Sequence, residues 1–219
     1  MTDLHMHTLL SDGDLLPSEL ARRAEERGMK IIAITDHVDA SNLQQVVSSA
    51  VSVCRDINAT FRIRVMPGVE ITHVHPSQIP VLARTARRLG AAVVVVHGET
   101  IVEPVAAGTN RAALESDIDI LAHPGCLSEE DAKLAAERGV CVEISARQGH
   151  CFGNGQVARM WYRYGFPLAL NSDTHEPDDI LTEPFARKVL EAAGISAGDI
   201  DRVLACGFQR AAALLRRCG

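Results

Sequence analysis

The sequence lacks any long apolar run. Its longest, residues 91–96, is far too short to span a bilayer. The N-terminus carries Asp3, His5, His7 and Asp12 and has no apolar stretch that reads as a signal peptide. No CxxC occurs among Cys54, Cys126, Cys141, Cys151, Cys206 and Cys218, so the pattern fits reduced thiols in the cytosol rather than a disulfide scaffold. No glycine-rich phosphate fingerprint follows the first β-rich run, which weakens a dinucleotide-binding reading. Basic charge is also short: 22 Lys plus Arg stand against 28 Asp plus Glu, a net charge of −6. No basic segment is interleaved with aromatics. Long nucleic acid, bound through its phosphates, is therefore a poor candidate partner, whereas a small phosphorylated substrate held by metals remains open.

The 219 residues, 47% apolar and 23% charged, suit one soluble, well-cored domain over 1–219. No linker or charge block divides them. Seven short β-rich runs, residues 2–7, 30–35, 62–71, 91–97, 119–122, 139–144 and 167–170, are mostly continuous in polarity, as strands covered on both faces are. Helical stretches lie between them at 17–27, 79–89, 128–138, 155–164 and 183–193, each followed by glycine, and a final one at 199–217 is expected to break near Gly207. Repeated βα units imply a parallel sheet. Seven of them suit a compact barrel, with an open doubly wound sheet as the alternative.

Nine histidines need explaining. His5 and His7 end the first run, two apart and so on one side of a strand. Asp36 and His37 end the second, Glu70 the third, His97 the fourth and His123 the fifth. Glu143 and Arg147 lie at and beyond the end of the sixth, and Asp173 and His175 follow the seventh. In a parallel barrel these ends meet at one mouth, the C-terminal face. Imidazole with carboxylate suits Mn, Zn or Fe. One metal uses three or four protein ligands, and nine are on offer: His5, His7, Asp12, His37, Glu70, His97, His123, Asp173 and His175. Two to three divalent ions sharing carboxylates account for them.

Asp3-Leu4-His5-Met6-His7-Thr8 with Ser11-Asp12-Gly13, Ile34-Thr35-Asp36-His37, Gly68-Val69-Glu70, Ala122-His123-Pro124 and Ser172-Asp173-Thr174-His175 resemble the PHP (polymerase and histidinol phosphatase) family. The match runs in order from residue 3 to about residue 176. The resemblance implies an α/β fold, a distorted (β/α)7 barrel with parallel strands and a trinuclear metal site at the C-terminal face, and phosphoesterase chemistry. On that pattern His5, His7, Glu70 and Asp173 hold one metal. Glu70 bridges to a second, held also by His97 and His123. Asp12, His37 and His175 hold a third. Gly13 stands where some family members carry His, and Asp36 is expected to orient a ligand.

Arg147 is the candidate for holding phosphoryl oxygens, since guanidinium matches phosphate in bidentate geometry; Arg111 is a second. His73 and His150, in loops on the mouth side, are candidates for substrate contact. His75, beside Pro76, reads as a solvated loop residue, and Met6 and Trp161 as packing. The leading expectation is metal-dependent hydrolysis of a small phosphomonoester, histidinol-phosphatase-like, with Glu70, Asp173 and Arg147 at the reacting centre. The alternatives are a phosphodiesterase or nuclease using the same centre, and a metal-binding interaction module without activity. Nothing in the pattern specifies an oligomeric state.

Overall fold

The computed structural model describes residues 1–216. Among them the chain alternates strand and helix. The order is β1 (Thr2–Asp3), α1 (Pro17–Glu26), β2 (Ile31–Ile34), β3 (His37–Val38), α2 (Leu43–Thr60), β4 (Arg64–Ile71), α3 (Ile79–Leu89) and β5 (Val93–His97). It continues with α4 (Thr109–Leu114), β6 (Ile120–Ala122), α5 (Glu129–Arg138), β7 (Cys141–Ser145), α6 (Asn154–Tyr164), β8 (Leu168–Asn171), α7 (Glu183–Ala192) and α8 (Ala197–Leu215). The strands pair in parallel in the order β1-β2-β4-β5-β6-β7-β8. The short β3 pairs with β4 above the point where β2 leaves it, His37 opposite Glu70. It therefore extends the stave begun by β2, and the result is a nearly closed barrel of seven staves.

Side chains alternate across the barrel wall as strand geometry requires. Ile32, Ile34, Val65, Val69, Val94, Val96, Leu121, Val142, Ile144, Leu168 and Leu170 point out and form one core with the helices. Ile31, Ala33, Met66, Val93, Val95, Ile120, Ala122, Cys141 and Ala169 point in and form a second core with Ala211 and Leu214 of α8. Both faces of each strand are thus apolar, which is why the runs show little alternation in sequence. Helix α8 closes the N-terminal end of the barrel, packing on β1, β2 and β8. It runs through Gly207 without the break expected there. A Cβ at Gly207 would lie 3.7 Å from Thr2 Oγ1, an ordinary contact, so neither the helix nor its packing beneath β1 depends on the glycine.

The first stave departs most from its expected extent. Regular pairing ends at Asp3, and the chain bends at Leu4, so both Leu4 and His5 face inward. Side chains complete the seam between the first and last staves. Asn171 Oδ1 accepts from Leu4 N (2.9 Å) and Asp3 Oδ2 accepts from Ser172 N (3.0 Å). Backbone pairing resumes above, Asp173 N to His5 O (3.0 Å) and His7 N to Thr174 O (2.8 Å). Two helices, α2 and α4, were not foreseen. The long α2 starts after Ser41-Asn42 but has no side-chain cap hydrogen bond, no acid in its first turn and no base in its last, so its boundary signals are weak.

Below the mouth the interior narrows around Gly68. A Cβ there would sit 2.8 Å from both Thr35 Cγ2 and Val93 O. Gly68→Ala should therefore destabilise the fold by about 1–3 kcal/mol through overpacking, read as a lower Tm and urea midpoint. Gly198→Ala, with open space around its Cβ, should not; equal Tm values for the two variants would contradict the packing account.

Candidate metal centre

The period-2 geometry that puts Val93 and Val95 inside continues to His97, and the one that puts Met66 and Gly68 inside continues to Glu70. Alternation thus brings His97 and Glu70 inside, while the bend at Leu4 and the positive φ of His123 bring His5 and His123 to the same cluster. Glu70 is fully buried and is the hub. Its Oε1 lies 3.3 Å from His5 Nε2, 3.3 Å from His97 Nδ1 and 3.5 Å from His123 Nε2. Its Oε2 lies 2.7 Å from His37 Nδ1 and 3.7 Å from His7 Nε2. Asp173 is the second hub: Oδ1 is 3.2 Å from His7 Nε2, 3.4 Å from His175 Nδ1 and 3.7 Å from His5 Nε2, and Oδ2 is 3.7 Å from His123 Nε2. Asp12 Oδ1, at the exposed edge, is 3.3 Å from His175 Nε2 and 3.6 Å from His37 Nε2.

All nine sequence-selected ligands are therefore brought together. Four convergent groups of three or four span them: His5, His123 and Asp173; His5, His7 and Glu70; His37, Glu70 and His97; and His7, Asp12, His37 and His175. His37 reaches both Glu70 and Asp12, and so joins the inner and outer parts of the cluster.

The residues fit divalent cations on their hydrogen-bonding alone. His5 Nε2, both ring nitrogens of His7, His97 and His123, Glu70 Oε1 and Asp173 Oδ1 are buried without a hydrogen-bond partner. An unpaired buried polar group costs about 1–3 kcal/mol, and a fold does not gather six such side chains at one point without something to satisfy them. Cations at their convergence would do so. Burial opposes ionisation of Glu70, but His5, His37 and His97 outweigh it and hold the carboxyl well below the usual range. The same balance, with His5 and His7 opposing burial, lowers Asp173. Burial drives His7 down to about 3, leaving a neutral ring with a lone pair, the form that binds metal.

Other residues orient these ligands. Glu143 Oε2 accepts from His5 Nδ1 (2.8 Å) and from Asn171 Nδ2 (2.8 Å), which turns His5 Nε2 toward Glu70 and Asp173. His175 Nδ1 donates to the Asp173 carbonyl (3.0 Å), turning Nε2 toward Asp12. Asp36 bears on its neighbour Asp12 through the backbone and hydroxyls of the loop between them. Its Oδ1 accepts from Thr8 N (2.7 Å) and Ser11 Oγ (2.8 Å), and its Oδ2 from Thr8 Oγ1 (2.8 Å), so it fixes the loop that presents Asp12. In that loop a Cβ at Gly13 would lie 2.6 Å from the His7 backbone, so no His fits there without moving the loop. Strain also gathers at the mouth: His73 (φ 53°), His123 (φ 24°) and Asp173 (φ 56°) are the non-glycine residues with positive φ among those described.

A cleft of about 550 Å³ opens above the centre, lined among others by Ser11, Asn42, Thr72, His73, Arg147 and His150. Arg147 is part-buried there, its Nη1 3.3 Å from the Asp173 carbonyl and 3.5 Å from Asp179 Oδ2. His150 donates or accepts at Nδ1 with Thr100 Oγ1 (3.0 Å), and burial with His123 nearby holds it down to about 4. Arg111 is not at the site. It lies on α4, turned to the outer layer, with Nε 2.7 Å from Asp131 Oδ1 of α5. His75 is exposed and hydrogen-bonds Ser77. Trp161 is buried and Met6 fully so.

Two residues at the centre had no role assigned from sequence. Glu143, one charge in the apolar run Cys141-Val142-Glu143-Ile144, sits at an inward position that its period could have marked. Glu103, in the loop after β5, lies 3.0 Å from His97 Nε2 and 3.0 Å from His73 Nε2; no motif marks it.

Set beside this barrel and its His, Glu and Asp cluster, the comparisons give the class, a metal-dependent phosphoesterase. The chain belongs to the PHP family: the PHP domain model matches residues 3–218. A relative 43% identical over 204 residues, covering 92% of this chain and 94% of its own length, is an uncharacterized protein of Methanocaldococcus jannaschii. A probable phosphatase of Syntrophotalea carbinolica is 26% identical over 217 residues, 90% of each chain. Among solved structures, histidinol phosphate phosphatase of Lactococcus lactis, complexed with zinc, L-histidinol and phosphate, shares the fold at 15% identity and a TM-score of 0.61, covering 89% of this chain and 94% of that one. A chain of archaeal ribonuclease P with mature tRNA does so at 15% identity and a TM-score of 0.75, covering 98% and 91%. Among the described residues no helix is long and apolar enough to cross a membrane.

If cations satisfy the unpaired atoms, removing them should cost stability. At a free-ion concentration about 100 times Kd the contribution is about 2.7 kcal/mol, or a Tm change of about 5–10 °C for a chain of this size. Exhaustive chelation should lower Tm by that much and divalent metal should restore it. A Tm indifferent to both would contradict the fit.

Proposed function

We propose that the protein hydrolyses a small phosphomonoester, histidinol-phosphatase-like in class, at a centre of two to three divalent ions of Mn, Zn or Fe. The observation that carries this reading is the buried, hydrogen-bond-poor convergence of His5, His7, His97, His123, Glu70 and Asp173 beneath an open cleft. His5, His7, Glu70 and Asp173 hold one ion, Glu70 with His97 and His123 a second, and Asp12, His37 and His175 a third. When bound, the ions supply hydroxide near neutral pH and offset the charge that develops on the phosphoryl group.

The chain's own groups do the rest. The cleft volume suits a small molecule. Arg147, the arginine lining it, takes phosphoryl oxygens in bidentate geometry, while Asp179 and the Asp173 carbonyl hold its guanidinium in place. His73 and His150, which line the same cleft, contact the substrate beyond the phosphate. Water oxygen bonds to phosphorus as the ester P–O bond breaks, and a proton passes to the departing oxygen, giving an alcohol and inorganic phosphate. The net charge of −6 and a cleft bordered by Asp12, Asp39 and Glu103 speak against a long polyanion. The likeness to a ribonuclease P chain is one of fold.

Purified metal-loaded protein should hydrolyse an aryl phosphomonoester well and the corresponding bis-ester poorly. Preference for the bis-ester would replace this reading by the phosphodiesterase one, and turnover of neither would favour the silent module. Glu70→Gln should abolish turnover and reduce bound metal. Arg147→Ala should lower kcat/KM about 10–100-fold, the worth of a charge-assisted hydrogen bond, with metal content unchanged; unaltered kinetics would remove Arg147 from the site.

A further inference from the structure

Among the carboxylates at the mouth that the proposed centre leaves without a task, Glu103 faces histidines. Glu103 stands in the loop 98–108, and that loop is clasped at its base. Glu99 Oε1 accepts from Gly108 N (3.0 Å) and Asn110 N (2.9 Å), Asn110 Oδ1 accepts from Glu99 N (3.0 Å), and Asn110 Nδ2 donates to the Pro124 carbonyl (2.9 Å). Glu103 is thus presented to the cleft by its own loop. Its Oε1 faces His150 Nε2 at 3.3 Å. Its Oε2 lies 3.0 Å from both His73 Nε2 and His97 Nε2.

His73, His97 and Glu103 converge as a possible ligand set, their donor atoms all within 4.8 Å of one another. A second observation points to a ligand there. His97 is 4% exposed, and its Nε2, though 3.0 Å from Glu103, is not aligned to hydrogen-bond anything. An orphaned nitrogen aimed beside a carboxylate is what a cation satisfies. His73, held at φ 53°, places the third donor.

The set also has a gradient. The side chains of His73 and Glu103 are 42% and 34% exposed, His97 is 4% exposed, and Glu70 is fully buried. His97 turns Nε2 to the outer set and Nδ1, 3.3 Å away, to Glu70 Oε1. The same ring therefore faces an exposed ligand pair on one side and the buried hub on the other. A buried metal site needs an entry path. The other exposed edge, Asp12 with His37 and His175, is already occupied by ligands of the third ion.

We propose that Glu103, His73 and His97 Nε2 form an outer site for divalent cations, through which ions load the buried centre. The inference rests on the metal-centre reading above. It assigns Glu103 to metal acquisition, not to holding a resident ion.

The test is metal uptake by chelator-stripped protein, with Co²⁺ alone as probe, followed by its visible absorption and by metal per chain after rapid desalting. Wild type, Glu103→Gln and His73→Asn are compared; asparagine tolerates the positive φ at His73, and matching far-UV spectra verify folding. Both variants should load at least tenfold more slowly and reach the wild-type final stoichiometry. Unchanged loading rates would overturn the proposal. So would a final stoichiometry one ion lower in Glu103→Gln, since Glu103 would then be a resident ligand. Failure of the wild type to take up Co²⁺ would instead sink the metal-centre reading itself.

Discussion

The structure depends on a buried carboxylate, Glu70, matched by histidines but with one oxygen, Oε1, left without a hydrogen-bond partner. Glu70 sits at the top of the barrel interior with the rings of His5, His7, His37, His97 and His123 around it at 2.7–3.7 Å, most of them too far or too poorly aligned for good hydrogen bonds. Desolvating such a group is expensive unless its charge is matched. Much of the surrounding architecture serves to hold this arrangement against its own cost. Small interior residues, Ala33, Gly68, Ala122 and Ala169, leave room beneath it. Glu143 props His5 from below. Asp3 and Asn171 stitch the seam at which His5, His7 and Asp173 meet, and the burial that Asp3 accepts to do so pushes its carboxyl up to about 7.

Division of labour along each strand follows from the same constraint. The lower and middle inward positions are apolar and carry stability: burying one valine or isoleucine contributes about 1.5–3 kcal/mol. The topmost inward position carries function and contributes none until its polar atoms are satisfied. Stability and chemistry thus sit on one face of one strand, a few residues apart, and the backbone strain at His123 and Asp173 marks where one gives way to the other.

This division is also why the sequence was readable where it was. A parallel strand buried on both sides appears as an apolar run, and the first polar residue at its end must face the mouth, so His97 after four valines and Glu70 after Gly68-Val69 could be placed without coordinates. The barrel class and the convergence of the strand-end His, Glu and Asp side chains were legible on that basis. Helix α2 was not, because only Ser41-Asn42 marks its start, and neither a charged first turn nor a basic last turn delimits it. Arg111 looked like a loop residue near the mouth, but one short helical turn carries it to Asp131 on the outer layer. Glu103 was invisible for the opposite reason: it belongs to a loop whose position is set by Glu99 and Asn110, a long-range fact with no periodic trace. Fold likeness would not have found it either, since barrels of one architecture differ mainly in such loops.

The most direct test of the account is metal content per chain by plasma mass spectrometry, on protein purified without chelator and again after reconstitution and desalting. The account predicts two to three tightly retained divalent ions per chain. Protein that retains none in either sample, while remaining folded, would contradict it: the strand-end residues would then be a buried polar cluster stabilised in some other way, and the catalytic reading would fall with the centre.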